Sequence, residues 1–153
     1  MDMPATQTTP VNILLVEDDK IDAKAFLRAM TKLRITNPVT VARDGVEAWE
    51  LLKGYGEMQF ERPNLVILDI NMPRMNGLEL LRKIREDAEL RNLIVFVLTT
   101  SNDDQDKFEA YDLNVAGYML KSDLGGSFIG AVNLVDQYWR VVEFPEAVAP
   151  ATA

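Results

Sequence analysis

The stretch LVILDINMP, residues 65–73, places four consecutive apolar residues directly before an aspartate. A short, continuously apolar run predicts a strand that is buried on both faces, as in a parallel sheet. Further runs of this kind predict strands at residues 11–16, 39–42, 93–98 and 115–120. Each run is followed by a stretch with helical spacing of its apolar residues. Five strand–helix pairs predict an α/β fold with a doubly wound, five-stranded parallel sheet.

The predicted helices cover residues 21–33, 45–53, 78–85, 103–113 and 127–142. We expect one domain over residues 11–142, because neither an internal repeat nor a second set of elements is visible in the sequence. Residues 1–10 are predicted to be a flexible N-terminal tail. Residues 143–153 are too few to fold alone and form a C-terminal tail, a candidate dimerisation arm.

The 153 residues include neither cysteine nor histidine. Disulfides, thiol nucleophiles and imidazole chemistry are therefore excluded, and a metal would need oxygen ligands, which favours a hard cation such as Mg²⁺. Sixteen basic and 24 acidic residues give a net charge of −8, which disfavours nucleic acid as a partner. The sequence has no membrane-length apolar run and no signal-peptide pattern, so we expect a cytoplasmic protein without a membrane partner.

Polar side chains follow the predicted strands at the points where the strands end. Glu17 and Asp18 come after the first strand, Asp69 after the third, Thr99 after the fourth and Lys121 after the fifth. Singly, such residues are most often turn formers, helix caps or surface groups. Ligands of open α/β sheets bind beyond the carboxyl ends of the strands, so we expect these side chains to meet at one edge.

Three carboxylates brought together repel one another unless a proton or a cation intervenes. Mg²⁺ suits such a site, and Lys121 adds a further positive charge. These cations would offset the charge of an incoming phosphoryl group while Asp69 attacks the phosphorus. The hydroxyl of Thr99 could donate a hydrogen bond to a phosphoryl oxygen. The pattern therefore predicts magnesium-dependent phosphoryl transfer.

Residues 11–140 resemble the receiver domains of bacterial two-component response regulators, which have the CheY-like, flavodoxin-like (βα)5 fold. The matching motifs are Glu17-Asp18 in LLVEDD, Asp69 in LDINMP, the turn Asn76-Gly77, Thr99 in VLTTS and Lys121 in GYMLK. Separations of 30 residues from Asp69 to Thr99 and 22 from Thr99 to Lys121 agree with the family. One departure is Lys121-Ser122, where the family has Lys-Pro, and it leaves the geometry of that peptide open.

The resemblance implies that Asp69 is the phosphoacceptor and that Asp18 and Asp69 bind Mg²⁺ directly. The backbone carbonyl of Asn71 would be a further ligand, and Glu17 would act through a water molecule. The resemblance also implies a sensor histidine kinase as phosphoryl donor and an unknown downstream protein as partner. In that interpretation the protein is a signalling switch that catalyses its own phosphoryl transfer and autodephosphorylation rather than an enzyme.

The resemblance also implies a switch pair. Thr99 would be the switch hydroxyl, and Tyr118 matches the aromatic residue whose ring orientation follows it. A partly buried tyrosine that never moves is the plain alternative for Tyr118. Asn71 and Ser101 occupy positions that would tune the lifetime of the phosphoaspartate.

The last predicted helix carries two apolar stripes. One comprises Phe128, Val132, Val135, Trp139 and Val142, and the other comprises Ala131, Leu134, Tyr138 and Val141. The first can cover the sheet, and the second would be left in water, which indicates an interface. We expect a homodimer through Leu134, Tyr138, Trp139, Val141 and Phe144. The alternative is that residues 141–145 fold back and cover the stripe.

The ending LVDQYWRVVEFP, together with Lys121-Ser122, is similar to the regulators paired with bacterial and cyanobacterial phytochromes.

Other functions fit the sequence less well. A haloacid-dehalogenase-like phosphatase needs a second acid two residues after its nucleophile, and position 71 is asparagine. A flavodoxin-like nucleotide carrier needs a loop rich in Gly, Ser or Thr after the first strand, where this chain has Glu17-Asp18-Asp19. A receiver-like scaffold that is never phosphorylated stays open.

Overall fold

A computed structural model describes residues 11–55, 62–63, 65–124 and 127–144. The elements, in chain order, are β1 (Ile13–Val16), α1 (Lys20–Lys32), β2 (Val39–Ala42), α2 (Gly45–Lys53), β3 (Leu65–Leu68), α3 (Gly77–Glu86), β4 (Ile94–Thr99), α4 (Asp104–Asp112), β5 (Gly117–Leu120), a 3₁₀ turn (Lys121–Leu124) and α5 (Ile129–Val141). All strand pairs are parallel, in the order β2-β1-β3-β4-β5. The predicted doubly wound sheet is confirmed. None of the helices in the described ranges has the length and apolar character needed to cross a membrane.

Some element boundaries differ from the predicted ones. The fifth strand begins at Gly117 instead of residue 115, because the N–H of Val115 donates to the carbonyl of Ala110 and closes the end of α4. The fourth strand includes Thr99, which pairs with Leu120 of β5. The predicted N-terminal tail, residues 1–10, lies outside the described residues, as does the predicted C-terminal tail beyond Phe144.

The first four helices begin with a side-chain cap, which satisfies backbone N–H groups that a helix leaves unpaired at its start. Asp19 caps α1, Asp44 caps α2, Asn76 caps α3 and Asp103 caps α4. For α1 the side chain of Asp19 accepts hydrogen bonds from the backbone N–H groups of Ile21 and Asp22. The carboxylate of Asp18 is not used in capping.

The core consists of two apolar layers, one on each face of the sheet. Helices α2, α3 and α4 cover one face, and α1 and α5 cover the other. At the carboxyl edge, α3 approaches β3 closely. A Cβ atom on Gly77 would lie 2.3 Å from the carbonyl oxygen of Asp69 and 2.8 Å from Cα of Ile70. Glycine is therefore needed where α3 begins beside Asp69.

Helix α5 covers the sheet with a wider face than the one predicted. Ala131 is buried, and the ring of Tyr138 lies edge-on to Phe96 with centroids 4.9 Å apart. The prediction that their stripe is left in water is wrong for these two residues, because the contact face is wider than one stripe. Leu134 and Val141 do remain in water, at 50% and 79% exposure.

The end of α5 and the segment after it also differ from the simple two-stripe prediction. Val142, assigned to the covering stripe, is partly exposed, whereas Trp139 packs against the layer formed by α1 and α5. The ring of Phe144 lies 6.1 Å from that of Tyr138. Phe144 thus returns to Tyr138, as the fold-back alternative expects, but Leu134 and Val141 of the stripe stay exposed.

Candidate functional site

The carboxyl edge of the sheet brings together the polar side chains that follow the strands. Carboxylate oxygens of Glu17, Asp18 and Asp69 all lie within 4.8 Å of one another. Glu17 and Asp69 are buried, and Asp18 is exposed. Thr99, at the end of β4, and Lys121, directly after β5, contact the same cluster. The predicted convergence is therefore observed.

Both carboxylate oxygens of Asp69 have partners. Oδ1 accepts hydrogen bonds from the hydroxyl of Thr99 at 2.7 Å and from the backbone N–H of Asn71 at 3.2 Å. Oδ2 lies 3.2 Å from Nζ of Lys121. The Asn71 side chain turns toward the next loop, where its Nδ2 donates to the hydroxyl of Thr100. These contacts fix the orientation of the Asp69 carboxylate.

Lys121 lies at the centre of an ion-pair network. Its Nζ is 2.7 Å from Glu17, 2.8 Å from Asp22 and 3.2 Å from Asp69. Burial on its own would lower the pKa of Lys121, but hydrogen bonds to Asp22 and Glu17 and the charge of Asp69 raise it above its ordinary value. The ammonium therefore stays charged at neutral pH.

Asp22 is a site residue that was not predicted from the sequence. This residue lies in the first turn of α1, three residues beyond the cap Asp19, so the helix carries its carboxylate back toward the end of β1. The available signal was an acidic residue three positions after Asp19. It did not single out a site residue, because acids in a first turn are usually explained by the helix dipole alone.

The environment of Glu17 indicates a crowded negative site. Burial, together with the charge of Asp69, raises the pKa of Glu17 to about 8 against the opposing hydrogen bond and charge of Lys121. A cation held between the carboxylates would remove this repulsion. Two buried carboxylates and one exposed carboxylate form an all-oxygen donor set, which fits a hard divalent cation.

A chain of hydrogen bonds runs from Asp69 to the loop between β4 and α4. The Thr99 hydroxyl that donates to Asp69 accepts the backbone N–H of Ser101 at 3.2 Å. The hydroxyl of Tyr118 donates to the carbonyl of Ser101 at 2.8 Å, and the Ser101 hydroxyl donates to Asp106 at 2.6 Å. Burial raises the pKa of Tyr118, so its hydroxyl remains a donor.

The departure at Lys121-Ser122 leaves the lysine in the site. Among the described residues no peptide bond is cis, so this bond is trans, and Lys121 begins the 3₁₀ turn after β5.

The sequence and fold match known proteins over most of the chain. Residues 13–125 match the response regulator receiver domain family. Response regulator Rcp1 of Synechocystis sp. is 34% identical over 140 residues, which cover 90% of this chain and 95% of that protein.

Two solved structures are similar over nearly their whole length. The crystal structure of the Mn(2+)-bound form of Rcp1 has a TM-score of 0.81 at 34% identity, covering 90% of this chain and 100% of that one. The phosphorylated cyanobacterial phytochrome response regulator RcpA has a TM-score of 0.82 at 34% identity, covering 90% and 99%. With the parallel sheet and the acidic edge described above, these matches identify the chain as a member of the response regulator receiver domain family.

Proposed function

We propose that this protein is a single-domain response regulator, and that Asp69 is the residue that accepts a phosphoryl group. The observation that carries the proposal is the surroundings of Asp69. Its carboxylate is buried between a hydroxyl donor, a backbone N–H donor and an ammonium group, beside two further carboxylates. A buried carboxylate surrounded in this way is suited to nucleophilic attack on phosphorus.

The proposed reaction has two steps. In the first, an Asp69 oxygen forms a P–O bond while the bond from phosphorus to the donor's nitrogen or oxygen breaks, and the donor leaves with the electron pair of that bond. In the second, a water oxygen attacks the phosphorus while the bond to Asp69 breaks, Asp69 keeps the electron pair of that bond as a carboxylate, and inorganic phosphate is released carrying the two protons of the water. Lys121 and the Thr99 hydroxyl would contact phosphoryl oxygens in both steps.

We propose Mg²⁺ as the cation of the site, held by Asp18 and Asp69 with the backbone carbonyl of Asn71, and by Glu17 through water. When bound, the ion would supply positive charge that offsets the phosphoryl oxygens. The acidic donor set and the raised pKa of Glu17 support a divalent cation. The Mn(2+)-bound form of the relative Rcp1 is consistent with this proposal.

We propose that phosphorylation is reported through Thr99 and Tyr118. If Thr99 turns toward a phosphoryl oxygen, the N–H of Ser101 loses its acceptor, and the loop held by Tyr118 and Asp106 is free to rearrange. The altered β4–α4 loop and β5 would then bind a downstream protein better in one of two states.

The proposed partners are a sensor histidine kinase, which could be a phytochrome, an unidentified downstream protein, and a second copy of the chain. The similarity to the phytochrome response regulator RcpA supports the choice of kinase, and a cytoplasmic location goes with it.

For the dimer, exposed Leu134 and Val141 support an interface that also includes Tyr138, Trp139 and Phe144. Light scattering tests the dimer, and a monomer at micromolar concentration rejects it.

The test of the function is incubation with acetyl phosphate and Mg²⁺ followed by intact mass spectrometry. We expect one added phosphoryl group in the wild type, none in Asp69→Asn and none with a chelator present. Asp123→Asn, which removes an exposed carboxylate two residues from Lys121, is the matched control and should be labelled normally. Labelling that survives Asp69→Asn would move the acceptor to another residue, and no labelling of the folded wild type would favour the unphosphorylated scaffold.

A further inference from the structure

Lys121 uses all its hydrogen-bonding capacity on carboxylates. An ammonium group carries three N–H donors. Its contacts within hydrogen-bond distance are Glu17, Asp22 and Asp69. In this arrangement the N–H groups of Lys121 are all engaged, so that one of the three bonds must be given up before Lys121 can donate to another acceptor.

The three carboxylates differ in how easily water can replace the lysine. The side chains of Glu17 and Asp69 are 4% and 5% exposed, whereas that of Asp22 is 28% exposed. A buried carboxylate that loses its cation stays unpaired at high cost, but a partly exposed one is hydrated instead. Asp22 is therefore the partner whose loss is least costly.

Asp22 also competes directly with Asp69 for the lysine. Nζ of Lys121 lies 2.8 Å from Oδ2 of Asp22 and 3.2 Å from Oδ2 of Asp69, so the shorter contact is with the residue that would not react. Asp22 is located on α1, and Lys121 follows β5. Their ion pair thus links α1 to the turn after β5.

We infer that Asp22 is a positioning residue. In the unphosphorylated protein it accepts a hydrogen bond from one N–H of Lys121, and after phosphorylation the same N–H donates to a phosphoryl oxygen. This inference rests on the proposed function. The exchange moves one hydrogen bond from the Asp22 carboxylate to the phosphoryl oxygen and leaves Asp22 to water. Asp22 then lowers the affinity of the site for a phosphoryl group and acts through Lys121, without contact with the reacting atoms.

The test measures binding of beryllium trifluoride, a phosphoryl mimic, by ¹⁹F NMR at saturating Mg²⁺. We expect Asp22→Asn to bind the mimic about two- to fivefold more tightly than wild type, the range for a partly exposed ion pair. Asp22→Glu keeps the charge and should stay within twofold of wild type. Asp123→Asn, with the same change in net charge, should also leave the affinity unchanged.

A double-mutant cycle decides whether Asp22 acts through the lysine. In a Lys121→Met background, Asp22→Asn should no longer change the affinity for the mimic. In the unbound wild type, the Lys121 ammonium should give a ¹H–¹⁵N signal that shifts or exchanges away in Asp22→Asn, since the ion pair slows hydrogen exchange.

Each contrary result has its own meaning. If Asp22→Asn binds the mimic no better than wild type, or if it has the same effect in the Lys121→Met background, the inference is overturned while the function stands. If the wild type binds no mimic and takes no phosphoryl group from acetyl phosphate, the proposed function fails, and the inference fails with it.

Discussion

Lys121 and Arg85 are both long cationic side chains drawn into the fold, but their partners differ in kind. Arg85, near the end of α3, donates to the backbone carbonyls of Leu113, Arg91, Leu93 and Asn114 at 2.7–3.0 Å. It joins α3 to the loops that precede β4 and β5. Because these acceptors are neutral, burial lowers the pKa of Arg85.

Lys121 has charged acceptors, and its pKa is raised despite burial. A carboxylate can exchange one cation for another, whereas a part-buried loop carbonyl that loses its donor stays unpaired unless water reaches it. The Arg85 network thus holds the loops in place, while the Lys121 network is built from partners that can be replaced. Three measurements test this difference between the two cations.

The largest effect is expected for Arg85→Met, which removes a cation from several backbone carbonyls at once. We expect the free energy of unfolding to fall by about 2–4 kcal/mol, since unpaired buried acceptors each cost about 1–3 kcal/mol and some will be hydrated. Urea denaturation measures the loss. Mg²⁺ should restore none of it. A loss below about 0.5 kcal/mol would show that the Arg85 network does not hold the loops.

A smaller loss is expected for Lys121→Met, because the carboxylates left behind can take up another cation or a proton. Without a divalent ion we expect a loss of about 1–3 kcal/mol, and with Mg²⁺ most of this loss should disappear, since a cation that binds the folded state stabilises it. Urea denaturation of wild type and Lys121→Met, with Mg²⁺ and with chelator, measures the two losses of stability. Equal losses in both conditions would place Lys121 in the same class as Arg85.

The change in stability per pH unit is expected to be smaller still. The pKa of Glu17 is about 8 in the folded protein against 4.5 as its ordinary value, so between these values the folded state binds more protons than the unfolded state. Stability contributed by the protonated form is therefore present below about pH 4.5 and is lost as the pH rises toward 8. The slope cannot exceed about 1.4 kcal/mol per pH unit for one proton.

Denaturation between pH 5 and 8 in the presence of chelator measures this slope. Glu17→Gln should flatten it, and Mg²⁺ should reduce it by favouring the ionised carboxylate. An unchanged slope in Glu17→Gln would assign the titration to another group.

The sequence was sufficient for those site residues that follow strands directly. The order of apolar runs places Glu17, Asp69, Thr99 and Lys121 at one edge, because parallel strands all end on the same side of the sheet. Asp22 could not be assigned in this way, since its contact with Lys121 depends on the rotation of α1 about its axis.

The Arg85 network and the packing of α5 also could not be predicted from the sequence, for related reasons. The acceptors of Arg85 are backbone carbonyls, which every residue carries, so that side-chain identities give no signal. In α5 the burial of Tyr138 depends on Phe96 and Phe144, which lie elsewhere in the chain. Periodicity gives the apolar residues of a helix but not the width of the face that its neighbours cover.

The close approach of Gly77 to Asp69 has a mechanical consequence. The Asp69 peptide has no room to shift toward α3, since the first residue of that helix already touches it. We therefore expect strain introduced by a bulky group on Asp69 to be relieved away from the start of α3. A close-packed helix start on one side would limit the directions in which the Asp69 backbone can move.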